Sequence, residues 1–116
     1  MIDTIEELQT VDKIYVLDTT VYRSKGLNYA VYRVVKTEQR GIGKWFVQLK
    51  TSARNKSFHS TINVVVRYSL TLPNKQLAFS NFEEMEKEFC KIVKKSSDKN
   101  PALAKKLAAK YPQYFI

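Results

Sequence analysis

The chain has one cysteine and one histidine in 116 residues, and that scarcity removes several classes of protein at once. Cys90 alone cannot form an internal disulfide, so nothing points to a secreted scaffold built on cross-links. With His59 as the single histidine and no Cys/His cluster, zinc-ligand spacing is absent, and no histidine stands in a recognisable triad. No apolar run approaches the roughly 18 residues that a membrane span needs. The opening Met-Ile-Asp-Thr-Ile-Glu-Glu puts acids where a signal peptide carries basic residues. The expectation is a cytoplasmic, non-membrane protein that is not an enzyme and uses no cofactor or metal.

Two apparent motifs dissolve on inspection. Arg40-Gly41-Ile42-Gly43-Lys44 has the glycines of a phosphate-cradling turn, but it lacks the Walker spacing and leads into a strand where that motif requires a helix. The acids Glu83, Glu84, Glu86 and Glu88 are accounted for by the positive end of a helix and by solubility. Cys90 and His59 read as structural or incidental.

Acid is the other shortage, and it is local. The chain carries 20 Lys and Arg against 11 Asp and Glu, a net +9. Residues 1–18 are net −4, whereas residues 19–81 hold eleven cations against Glu38 alone, a net +10. A merely soluble surface mixes both signs, so a one-sign middle region points to a polyanionic partner.

Periodicity supplies the architecture. Thr61–Leu72 alternates with Ile62, Val64, Val66, Tyr68, Leu70 and Leu72 on one side and polar residues on most of the other, which predicts a half-buried strand ended by Pro73-Asn74. Further strands are expected at 13–17, with 20–23 as a continuation or a short strand of its own, and at 28–36, 44–50 and 76–79. In the 44–50 strand Trp45, Val47 and Leu49 face inward and Lys44, Phe46, Gln48 and Lys50 outward. The glycines of 37–43 predict a hairpin with a bulged or extended loop, and 51–60 reads as an exposed basic loop.

Asp3 and Ser80 stand three residues before Glu6 and Glu83, the capping-box spacing for helices starting near 4 and 81. Phe82, Met85, Phe89, Ile92 and Val93 then form an apolar stripe. Asn100-Pro101 starts a last helix with Leu103, Leu107 and Tyr111 on its narrow apolar side. The apolar tail Tyr114-Phe115-Ile116 is expected to dock on the chain's own core rather than on a second subunit. The fold expected is therefore α+β, one domain over 1–116: an antiparallel sheet of four to five strands, a short N-terminal helix and two C-terminal helices packed on one face.

On that sheet, cations are interleaved with aromatics, the pairing of chemistries that holds nucleic acid by tracking phosphates and stacking on bases. The candidate binding residues are Arg23, Arg33, Lys36, Lys44, Lys50, Arg54, Lys56 and Arg67, with Tyr22, Tyr32 and Phe46 as stackers. The function expected is a small nucleic-acid-binding protein, for DNA or RNA and single-stranded or not, that grips the backbone with little base reading. The alternative is a protein-interaction module, such as a phage-type inhibitor or adaptor, whose basic face docks on an acidic or nucleic-acid-handling partner. Monomer and homodimer are both compatible with the sequence.

Overall fold

The computed structural model describes residues 1–22, 24–54, 61–67 and 69–116, with Ala53 and Arg54 described in their backbone only. The elements are α1 (Ile5–Leu8), β1 (Lys13–Leu17), β2 (Tyr29–Gly41), β3 (Lys44–Arg54), β4 (Thr61–Val66), β5 (Leu77–Phe79), α2 (Phe82–Lys95) and α3 (Pro101–Lys110), followed by a 3-10 turn at Pro112–Tyr114. The five strands form one antiparallel sheet in the order β4-β3-β2-β1-β5. This is the α+β arrangement expected from the periodicity.

Each helix starts where a side chain satisfies its first free N–H groups, though two caps lie one residue later than the spacing of acids suggests. Thr4 caps α1, accepting from the Glu7 backbone N–H and donating to the Glu7 carboxylate at 3.0 Å, so the box is Thr4-x-x-Glu7 and not Asp3-x-x-Glu6. Asn81, not Ser80, caps α2 by accepting from the Glu84 N–H at 2.8 Å. Asn100 caps α3 as expected, with Pro101 at its first position, and its amide also donates to the carbonyls of Val21 and Ser24.

The hydrophobic core lies in two layers, one on each side of the sheet. On one side Ile14, Val16, Ala30, Tyr32, Val47, Leu49, Ile62 and Val66 are covered by Ile2, Ile5, Leu8 and Leu72. On the other side Leu17 and Phe79 meet Met85, Phe89 and Val93 of α2 and Leu103 and Leu107 of α3. The short N-terminal helix therefore packs opposite the two C-terminal helices. Strand β1 is buried from both sides, whereas the 61–72 stretch supplies an edge strand that stops at Val66. Its continuation turns away: Ser69 bridges Thr4, and the Leu70 N–H donates to the Asp3 carbonyl at 2.8 Å. The expected strand at 20–23 does not form over residues 20–22; Asp18 accepts from the Thr20 N–H there and starts a turn.

Strands β2 and β3 run well past their expected ends and make a hairpin of roughly 40 Å at about 3.3 Å per residue, close to the 47 Å length of the whole molecule. The connector is correspondingly short. Gly41 pairs with Lys44, and only Ile42 and Gly43 form the turn, with Gly41 and Gly43 at φ 147° and 68°, where a side chain is strained. Of the anticipated 51–60 loop, residues 51–54 extend β3 and the remainder lies outside the described residues.

Candidate nucleic-acid interface

Helices α2 and α3 cover only part of their side of the sheet. Alternation puts Lys13, Tyr15 and Leu17 of β1 and Tyr29, Val31 and Arg33 of β2 on this side. Tyr15, Leu17 and Tyr29 lie under or against the helices, and Lys13 and Arg33 lie beyond them, exposed. From there nothing among the described residues covers the surface across β2, β3 and β4.

Register assembles the cations. Arg33 is paired with Lys13 on one side and with Lys50 on the other, and Lys50 is paired with Thr61, so three positive side chains line up across three adjacent strands. The next row along is Lys36, Gln48 and Asn63, and the one after it Glu38, Phe46 and Val65. Simple alternation from Arg33 would send Lys36 to the opposite side. The irregularity between Val34 and Lys36 inserts one residue into β2 and returns Lys36 to the side of Arg33 and Lys50. A depression of ≈ 250 Å³ lies among Arg33, Lys50, Thr51 and Ser52, and Asp12 borders a neighbouring one with Lys13 and Arg33.

The charge on this surface is almost uncompensated. Glu38 is the one acid in its rows, and it is already engaged, by Lys36 Nζ at 3.3 Å and by Arg40 Nη2 at 3.3 Å. The Lys36 hydrogen bond first and the Arg40 hydrogen bond second hold its carboxyl below the usual carboxylate range. Among the described residues no ion pair engages Lys13, Arg33, Lys44, Lys50 or Arg67. Like charges directly opposite on neighbouring strands destabilise a sheet, so the Lys13-Arg33-Lys50 row is tolerated at a cost.

The aromatics fare differently from the cations. Tyr32 is fully buried in the layer under α1 and cannot stack on a base; its expected role is corrected to core packing, because it alternates with Arg33 on a strand whose other side is apolar. Phe46 lies on the open side as expected, half-buried, with the Arg40 guanidinium 4.1 Å from its ring centroid. Tyr22 is 63% exposed but belongs to a turn beside Asn100 and Lys106, away from the cationic rows. Lys44 is exposed at the hairpin end and Arg67 follows β4. Arg54 is the last residue of β3, paired with Ala30 in the described backbone. Arg23 and Lys56 lie outside the described residues.

Sequence reasoning missed two members. Lys13 was visible as the first residue of an alternating strand, but only the register shows that it neighbours Arg33. Arg40 was read as part of a loop, and it proves to be a strand residue at an irregularity, covering Phe46. Cys90 is buried in α2, and burial pushes its thiol up, away from the thiolate that nucleophilic chemistry needs. Among the described residues no three His, Cys, Asp or Glu side chains come together as a metal site requires.

Comparison with protein-family models, with curated proteins and with solved structures finds no match to this chain.

Proposed function

We propose that the protein binds nucleic acid through the open side of its sheet, with Lys13, Arg33, Lys36, Lys44 and Lys50 on the phosphate backbone and Arg67 at the margin. The observation that carries this reading is the Lys13-Arg33-Lys50 row. Three like charges on directly paired residues cost stability in the free protein, and a polyanion lying across the strands removes that cost. Gln48 and Asn63, in the adjoining row, are neutral partners suited to phosphate and sugar oxygens.

The same surface argues for backbone contact over base reading. With Tyr32 in the core and Phe46 under a guanidinium, the described residues of the open side offer little aromatic area on which bases could stack. Affinity then depends on counterion release and falls steeply with salt for single strands and duplexes alike. Titrating labelled oligonucleotides from low to physiological ionic strength tests this. An absence of binding at low salt, or an affinity flat against salt, overturns the reading.

A further inference from the structure

A second concave region lies away from the cationic rows, where α2, α3 and the turn leading into β2 meet. It is a cleft of ≈ 440 Å³, within the range of small-ligand sites. Its walls are apolar: Leu27, Tyr29 and Phe82 are half-buried, and Phe89 and Leu107 close the inner side. Tyr29 and Phe82 meet edge to face with centroids 5.4 Å apart, which fixes one wall as a rigid aromatic surface. Gly26 forms part of the rim.

The charges around this apolar slot are of one kind. Lys25, Lys106 and Lys110 are exposed at its edge, and none makes an ion pair among the described residues. Lys106 is held over the cleft by donating to the Lys25 carbonyl at 3.1 Å, and Lys110 is held by the Tyr111 ring, 5.2 Å from its centroid. The one acid in the lining, Glu86, is occupied by the Tyr111 hydroxyl, which donates to it. An apolar slot ringed by three ammonium groups that no described carboxylate neutralises complements a ligand with a greasy body and one negative end. A neutral apolar ligand leaves the lysines unused, and a phosphodiester chain has no body to fill the slot.

We infer that this cleft binds a small amphipathic carboxylate, its chain or ring seated between α2, α3 and Tyr29 and its carboxylate held by Lys25, Lys106 and Lys110. The site is independent of the nucleic-acid reading, since it shares no residue with the cationic rows.

Calorimetric titration of the full chain with octanoate, octanol and acetate tests it. Octanoate is expected to bind saturably at one site, about tenfold or more tighter than either octanol, which lacks the charge, or acetate, which lacks the body. The double variant Lys106→Gln/Lys110→Gln should weaken octanoate by about fivefold or more while leaving octanol unchanged. Arg33→Ala/Lys50→Ala, which breaks the cationic row, should leave octanoate binding as it was. If octanoate fails to saturate, if octanol binds as tightly as octanoate, or if the double lysine variant binds octanoate unchanged, the inference is wrong.

Discussion

On the side of the sheet that carries α2 and α3, the half nearest β5 and the half nearest β4 belong to one continuous sheet and end in opposite surfaces. In the first half the residues facing out of the sheet are Tyr15, Leu17, Tyr29, Leu77 and Phe79, and two amphipathic helices cover them. In the second half the equivalent positions are Arg33, Lys36, Glu38, Gln48, Lys50 and Asn63, with Phe46 and Val65 as the apolar exceptions, and no helix among the described residues covers them. Apolar area removed from water stabilises the first half by about 25 cal/mol per Å². On this side the second half gains little of that term, chiefly at Phe46 under Arg40, and carries paired like charges as well. The contrast teaches that one sheet has been divided into a part that holds the molecule together and a part whose composition folding alone does not explain.

The sharpest way to break that division is to mutate neighbours in one strand. Tyr32→Ala empties a fully buried site and should cost about 3–5 kcal/mol of stability, read by denaturant or thermal melting. One residue on, Arg33 should behave in the reverse manner. In the variant Arg33→Ala/Lys50→Ala, stability should stay within about 0.5 kcal/mol of the parent, while the slope of log affinity against log salt becomes shallower by about 2. A double variant that melts early but binds nucleic acid normally contradicts the division.

The covered half extends to the C-terminus. Phe115 packs against the layer under α2 and α3, and Lys94 Nζ donates to the Ile116 carbonyl at 2.8 Å, although the Ile116 side chain is 96% exposed. Deleting residues 112–116 should therefore cost about 1–2 kcal/mol, with the same fall in Tm at every protein concentration. A fall that depends on concentration would assign the tail to a subunit interface instead.

Glu38→Gln sharpens the comparison from the other side. It removes the acid that engages Lys36 and Arg40, so nucleic-acid affinity should rise and the salt slope should steepen by up to about 1. The parent should respond to pH in the same sense. Because Glu38 has a lowered pKa, its ion pairs persist below the ordinary carboxylate range and are lost only as pH falls further.

The smallest effect belongs to Tyr111. Its hydroxyl donates to Glu86, and that hydrogen bond, followed by burial, pushes its pKa up to about 12. The protonated form is the one stabilised. The contribution is therefore complete below the ordinary tyrosine value of 10.0 and disappears as pH rises through about 12. Tyr111→Phe should lower stability by less than about 1 kcal/mol, since solvent screens the pair. The difference between variant and parent should shrink above pH 10.

Local pattern determined much of this protein by itself. Period-two alternation marked the five strands, though not all their ends, the 82–93 stripe marked α2, and Asn100-Pro101 marked the start of α3. These signals are local because backbone geometry alone puts alternate residues on opposite sides of a strand and every third or fourth on one side of a helix. Which side is covered is not a local property. Tyr32 and Phe46 read alike in the sequence, yet one is core and the other surface, since burial depends on what α1, α2 and α3 overlie. Strand order made the conspicuous 61–66 segment an edge and Lys13-Leu17 the strand buried on both sides. One inserted residue before Lys36 moved that lysine across the sheet to join Arg33 and Lys50. Register joins residues distant in sequence, and a shift of one position reverses every side chain beyond it, so only the tertiary structure decided where the cations meet.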